Sequence, residues 1–266
     1  MSKYAHIYPP LINRVYAEEQ SKRKTERERE KAVKTVLHRV YGSYLNEGES
    51  KKTRALFDKI INAVNTSGDT LSQSEKFLSL HASTRERLPY LAEFFAFIAE
   101  TLNRAESAAP GVTRILDIGC GYNPFAIPWM RKHWNLKAYY AYDIDVYAQG
   151  LINAYFAALG LPETAGCIDL AAETPRGEAD IAFLFKLLPV LEAQKKGRGS
   201  RLINELNSRY IVVTFPLKSL GGKNKGMEAH YAGFFETALK NELAGHKLLA
   251  KEKIYSELVY ILASHI

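Results

Sequence analysis

The chain has 266 residues, 47% of them hydrophobic and 24% charged, with a formal charge of +7. This content excludes a disordered or fibrous protein, suits one core domain with a smaller attachment, and favours an anionic partner. No stretch approaches the roughly 18 continuous apolar residues of a membrane helix, and the first 30 residues lack the apolar core of a signal peptide, so a cytoplasmic location is expected. Two cysteines, Cys120 and Cys167, fall in no CxxC or Cys/His arrangement, so neither a disulfide framework nor a metal site is expected.

The basic charge gathers at the N-terminus. Residues 1–52 hold twelve Lys and Arg against seven Glu, which places five of the seven excess charges in the first fifth of the chain. The densest run, residues 22–31, leads into Val33, Val36, Leu37, Val40, Tyr41 and Tyr44, one face of a helix. Thr25 with Glu28 reads as a capping box, and Glu30 with Lys34 as a supporting i,i+4 pair. Lys22, Arg23 and Lys24 are candidate nucleic-acid contacts; the plainer alternative is a solvated helix of mixed charge. Phe57, Ile60, Ile61 and Val64 form a second helical stripe that ends at the turn cluster of residues 65–69. Phe77, Leu78 and Leu80 begin a further segment, and Leu88, Leu91, Phe94, Phe95 and Ile98 continue helically towards Leu102. Residues 107–113 break the pattern, so a helical, basic domain is expected over 1–108 and a second domain over 109–266.

Downstream of that break, short apolar runs alternate with helical stretches. Strands are predicted at residues 114–118, 138–142, 167–170, 181–185 and 210–215, with crossover helices over 128–134, 148–159 and 187–206. Residues 247–255 and 258–263 suit an antiparallel edge hairpin around Ser256 and Glu257. Strands alternating with helices predict an α/β fold with a parallel sheet covered on both faces.

The first of these strands ends at Gly119-Cys120-Gly121, where a loop opens on the carboxyl edge of the sheet and ligands usually bind. Asp143 closes the second strand, 22 residues after Gly121, near the spacing at which a carboxylate meets a ribose hydroxyl. Gly121 is followed by Tyr122-Asn123-Pro124, so GxGxxG is absent and a dinucleotide pyrophosphate fits poorly. S-adenosylmethionine, an adenosine without phosphates, fits better; the plain alternative is a tight turn with an incidental aspartate.

Four blocks in order extend this reading: residues 81–88 (His-Ala-Ser-Thr-Arg-Glu-Arg-Leu), 117–124 (Asp-Ile-Gly-Cys-Gly-Tyr-Asn-Pro), 185–189 (Phe-Lys-Leu-Leu-Pro), and Phe215-Pro216 through Gly226-Met227-Glu228-Ala229-His230-Tyr231. Together they resemble the aminoglycoside-resistance 16S rRNA (guanine(1405)-N(7))-methyltransferases, from about residue 41 to the C-terminus. His230 stands where asparagine is expected and Tyr122 where leucine is expected. The resemblance implies a Rossmann-like S-adenosylmethionine-dependent methyltransferase domain and a helical N-terminal domain that docks on the 30S ribosomal subunit and its 16S rRNA, in a protein expected to be a monomer. It implies that His81, Ala82, Ser83 and Arg87 reach the methionine end of the cofactor, with Tyr44 nearby. Arg87 is expected to pair bidentately with a carboxylate there. It further implies that Asp169 and Leu170 recognise the adenine, that Phe185 and Gln194 touch the cofactor, and that Gly119, Gly121 and Asp143 cradle it.

Lys186, after the fourth strand, and Glu228 are the polar residues expected nearest the target base. Lys223 and Lys225, in the glycine-rich basic loop of residues 220–226, are expected to close over RNA phosphates, although a solvated loop would read the same way. Tyr231, Phe234 and Phe235 have helical spacing and read as core. Guanine N7 carries a lone pair and no proton, so positioning alone suffices for methyl transfer. The sequence agrees: it has no Ser/His/Asp set, and its fourth strand lacks the Asp/Asn-Pro-Pro-Tyr/Phe motif for amino groups. Two rivals stay open, a small-molecule methyltransferase and a non-catalytic ribosome-binding factor with a decayed pocket; the basic N-terminus argues against the first and the intact Gly119, Gly121, Asp143 and Asp169 against the second.

Overall fold

A computed structural model describes residues 4–40, 51–105, 111–217 and 226–264. Tyr44, Lys223 and Lys225 lie outside the described residues. Among the described residues six α-helices come first: α1 (Pro9–Gln20), α2 (Glu26–Val40), α3 (Lys51–Asn65), α4 (Thr70–Leu78), α5 (Ala82–Arg87) and α6 (Leu91–Ala105). The first of them was not predicted from the sequence. Its start was nonetheless readable, because Pro9 and Pro10 occupy the first helical positions and Leu11, Val15 and Glu19 recur every fourth residue as its buried stripe. At α2 the expected capping box forms in both directions: the Glu28 amide donates to Thr25 Oγ1 at 3.3 Å and the Thr25 amide to Glu28 Oε2 at 3.2 Å. Glu30 and Lys34 pair at 3.1 Å. Phe77 and Leu78 close α4, whose Asp69 cap accepts from the Ser72 amide, rather than begin a new segment.

The remaining chain alternates as predicted: β1 (Arg114–Ile118), α7 (Ile127–Met130), β2 (Ala138–Asp143), α8 (Val146–Ala158), β3 (Ala165–Cys167), β4 (Glu178–Phe185), α9 (Leu188–Gln194), α10 (Arg198–Glu205), β5 (Asn207–Pro216), α11 (Met227–Asn241), β6 (His246–Ile254) and β7 (Glu257–Ser264). The third strand ends where the sequence suggested it would start. Beyond Cys167 the chain turns, with the Ile168 amide on Asp143 O and the Asp169 carbonyl accepting from Ala172 and Glu173. The helix expected over 187–206 is two helices, separated at Gly197, which takes φ +75°. The helix expected over 128–134 starts earlier, after a 3-10 turn at Asn123–Ala126, and ends at Met130.

Seven strands form one sheet in the order β3-β2-β1-β4-β5-β7-β6; the first five are parallel, and β7 runs antiparallel between β5 and β6. Strand order reverses between β1 and β4, which opens a crevice at their carboxyl ends. Period-two alternation divides the apolar side chains between two faces. Ile115, Ile181, Phe183 and Val212 point to the layer of α3, α4, α6 and α8, where they share a core with Phe57, Phe77, Phe94, Phe95 and Ile98. Leu116, Ala182, Leu184 and Val213 point to α9, α10 and α11. By contrast, α1 and α2 close a small core of their own from Tyr4, Ile7, Leu11, Val15, Val33 and Leu37, with Ile144 packed against it. Among the described residues, no helix is long and apolar enough to cross a membrane.

Candidate functional site

At the β1–β4 crevice lies a cavity that takes in about 980 Å³ with its open mouth included, where ligands bind in open α/β sheets. The loop after β1 shapes its floor. Gly119 and Gly121 both have positive φ, +68° and +48°. A Cβ at Gly119 would stand 2.8 Å from Leu187 Cδ1, and one at Gly121 would stand 3.0 Å from the His81 ring. Positive φ favours glycine at both positions, and a Cβ at either would also make the Leu187 or His81 side chain give way.

Asp143 at the end of β2 ties this loop to its neighbour: Oδ2 accepts from the Gly121 amide at 2.8 Å and Oδ1 from the Ile144 amide at 2.6 Å. Burial raises its pKa while these two amides oppose the rise. Each oxygen keeps a lone pair, so a ribose hydroxyl can still donate to the carboxylate. Behind the loop, Asp117 accepts from Tyr139 Oη at 2.6 Å and Asn123 Nδ2 at 2.8 Å; burial nevertheless pushes it up to about 6.

Asp169 lines the cavity with Leu170, and its partner comes from α1. Arg14 Nε donates to Asp169 Oδ2 at 2.5 Å, Nη2 donates to Oδ1 at 3.1 Å, and the same Nη2 reaches Gln194 Oε1 at 3.0 Å. Glu18, one turn on, holds Arg14 Nη1 at 2.8 Å. One guanidinium thus sets the orientation of both Asp169 and Gln194. Leu11 of α1 and Val40 of α2 also line the cavity. Sequence reasoning does not reach Arg14: the signal for its helix is local, but its partner lies 155 positions away.

The other end of the cavity is built from buried ions. Arg87 is 1% exposed, sandwiched between the Phe94 and Phe185 rings at 4.6 and 4.4 Å, and holds Glu257 in a fork, Nε to Oε1 at 2.9 Å and Nη2 to Oε2 at 2.7 Å. The expected bidentate carboxylate is present, but it belongs to β7 and not to a ligand. A fully buried guanidinium requires a partner within the protein, and Nη1, 3.4 Å from Asn123 Oδ1, is the edge left towards the loop. Lys186 takes φ +57° just beyond β4, and its ammonium reaches Glu86 at 2.7 Å and Glu257 at 3.5 Å. Burial works against the Glu257 charge, yet Arg87 and Lys186 hold its pKa down to about 2. Burial and the cations Lys186, Arg85 and Arg87 lower His81 to about 4, so its imidazole is neutral at pH 7.

Of the residues expected to contact cofactor or base, His81, Ser83, Arg87, Gly119, Gly121, Asp143, Asp169, Leu170, Phe185, Lys186 and Gln194 all line this one cavity. Ala82 does not; it opens α5 behind the wall. Glu228 does not either: it is exposed in the first turn of α11 and pairs with Lys253 at 2.6 Å. Lys22 and Arg23 reach back to Glu19 at 3.2 and 3.3 Å, while Lys24 is exposed.

The lining fits S-adenosylmethionine. It offers a carboxylate for a ribose at Asp143, a carboxylate and an amide at the Asp169 end, and glycines at the loop that let the backbone approach a ligand. Comparison with known proteins agrees. Residues 1–261 match the family model of the ribosomal RNA methyltransferase FmrO. The chain is 35% identical to a 16S rRNA (guanine(1405)-N(7))-methyltransferase of Micromonospora echinospora, covering 87% of this chain and 81% of that relative. It is 33% identical to the enzyme of the same name from Serratia marcescens, over 98% and 93% of the two chains. Among solved structures, the 16S rRNA methyltransferase RmtF in complex with S-adenosyl-L-homocysteine superposes with a TM-score of 0.82 at 33% identity, covering 99% of this chain and 94% of that one.

Proposed function

This chain belongs to the ribosomal RNA methyltransferase (FmrO) family, and on that premise we propose that it methylates N7 of a decoding-site guanine of 16S rRNA, of the position-1405 type, within the assembled 30S subunit. It is an S-adenosylmethionine-dependent 16S rRNA methyltransferase. The observation that carries the reading is that the family match runs from residue 1 to residue 261, so it takes in the basic helical region together with the cofactor fold. A small-molecule methyltransferase would share the fold without needing that region.

When bound, the cofactor supplies an electrophilic methyl group on a sulfonium. The residues then have separable roles. Asp143 takes a ribose hydroxyl, Asp169 with Gln194 faces the adenine, and Gly119 and Gly121 let the backbone approach. Neutral His81 and the apolar wall exclude water from the methionine end. Guanine presents N7 and O6 as neighbouring acceptors on its Hoogsteen edge. Lys186, held at the cavity by Glu86 and Glu257, donates to O6 and so aims the N7 lone pair at the methyl group. No base is needed, because N7 carries no proton. The base becomes cationic on methylation, and Glu228 in the first turn of α11 is assigned to steady that charge or fix the base edge. The target must first leave its stack.

Lys22, Arg23 and Lys24, with Lys223 and Lys225, are assigned to RNA phosphates. The enzyme acts as a cytoplasmic monomer in this reading: the large apolar side chains exposed among the described residues, Leu71, Val146, Phe234, Leu248 and Tyr255, are scattered over different elements. A methyl group at N7 adds bulk and positive charge, so cells carrying the enzyme resist cationic aminoglycosides that approach that atom. The test is to treat assembled small subunits and the isolated target hairpin with methyl-labelled cofactor, followed by reductive cleavage specific for N7-methylguanine. Cleavage at one guanine of the subunit is expected, with little labelling of the hairpin. Absence of cleavage, or equal labelling of both, contradicts the reading.

A further inference from the structure

The β6–β7 hairpin turns through two residues, Tyr255 and Ser256, between the paired Ile254 and Glu257. Tyr255 has φ +49° while Ser256 stays at negative φ. A two-residue hairpin with positive φ at its first turn position prefers glycine there, and a bulky aromatic residue in that conformation is strained. The strained side chain is also the most exposed large hydrophobic residue among those described, at 61%. Strain retained at an exposed aromatic residue calls for a functional reason.

The ring is rigidly backed. It stacks on Tyr90 at 4.7 Å between centroids with 11° between planes. Tyr90 is itself buried, and its hydroxyl meets Ser256 Oγ at 2.8 Å and donates to Glu257 Oε1 at 3.1 Å. With one face against Tyr90, the exposed area of Tyr255 lies on the other face and the ring edges.

Its location connects it to the site. Glu257 pairs with Pro216 at the carboxyl end of β5, so the hairpin turn stands on the same sheet edge as the cavity. A continuous set of contacts runs from the cavity-lining Lys186 through Glu257 and Tyr90 to the Tyr255 ring. A flat aromatic surface, held from behind and open in front beside a site for a base drawn out of its stack, matches the platforms on which proteins stack unpaired bases.

We propose that Tyr255 is a stacking platform for an unstacked base of the substrate RNA beside the methylation site. The inference rests on the rRNA reading above. It is tested in the full chain with three substitutions, Tyr255→Phe, Tyr255→Trp and Tyr255→Asn; asparagine tolerates positive φ and so keeps the turn while removing the ring. Expected for Tyr255→Asn is a loss of about 10- to 100-fold in kcat/KM for assembled small subunits, with S-adenosylhomocysteine affinity and melting temperature close to wild type. Phe and Trp should keep most of the activity, since the ring and not the hydroxyl is used. Wild-type turnover by Tyr255→Asn, or a parallel loss of cofactor affinity and melting temperature, overturns the proposal. A photo-crosslinking phenylalanine analogue at position 255 gives a second readout: crosslinks to 16S rRNA near the modified guanine support the platform, and crosslinks confined to ribosomal protein, or none to RNA, overturn it. Failure of the wild-type protein to methylate would instead remove the parent reading, so the two failures are distinguishable.

Discussion

Two helical regions precede the sheet, and they attach to it in different ways. Helices α3, α4 and α6 are fused with the sheet, because Phe57, Phe77, Phe94, Phe95 and Ile98 lie in the same core as Ile115, Tyr139 and Phe183. Helices α1 and α2 close on each other around Leu11, Val15, Val33 and Leu37. They meet the sheet edge through a few directed contacts: the Ile7–Asp145 bridge, the Tyr8 amide on Ile144 O, the Val146 amide on His6 O, and Arg14 on Asp169. The fused region therefore shares the core of the sheet domain. The appended pair instead completes one wall of the cavity while carrying the basic run of residues 22–31.

Emptying each core in turn separates the two regions most strongly. Phe95→Ala should cost about 3–5 kcal/mol of global stability by leaving a cavity under the sheet, read from denaturant midpoints. Leu37→Ala removes an equally buried side chain, but its effect should be confined to hydrogen exchange in α1 and α2 with the global midpoint nearly unchanged. If both variants lower the global midpoint alike, the two regions are one cooperative unit.

A pH series probes the fused region through His81. Its pKa is lowered to about 4 from an ordinary 6.5, so the unfolded chain binds the extra proton between those values. The stability it contributes is complete above pH 6.5 and is lost as pH falls towards 4, by roughly 3 kcal/mol. Asp117, raised to about 6, has the opposite slope: its contribution is present at low pH and is lost as pH rises from about 4 to 6. The difference between wild type and His81→Gln isolates the first effect, and a pH-independent difference across that window would show that His81 is not held neutral.

The appended region should respond through ligands. Arg14→Gln releases Asp169 and Gln194 together, and about a tenfold loss of S-adenosylhomocysteine affinity is expected by calorimetry, with little change in global stability. Tighter binding would instead mean that Arg14 competes with the ligand for Asp169. The smallest effect is expected from neutralising Lys22, Arg23 and Lys24. Subunit binding should weaken modestly and its salt slope flatten by roughly 0.7–0.9 for each phosphate that is no longer neutralised, while cofactor affinity stays the same. An unmoved slope assigns those side chains to the solvated face and their pairing with Glu19.

The sequence by itself determined what depends on neighbours along the chain. The α2 cap was legible because Thr25 and Glu28 satisfy each other's amides three residues apart. β1 was legible to the residue, as an apolar run stopped by Gly119, and the place of Asp143 at the cavity followed from a spacing that two adjacent parallel strands impose. Family resemblance added Gln194, which no local pattern marked. Tertiary structure decided the ionic partners. Glu257 reads only as part of an edge hairpin, and the docking of β7 against β5 carries it to full burial beside Arg87, 170 positions away. Asp169 found its guanidinium on a helix 155 positions upstream. Local propensity acts over a turn or a strand, whereas a buried charge is neutralised by whichever opposite charge the fold brings within reach, and sequence spacing carries no record of that meeting.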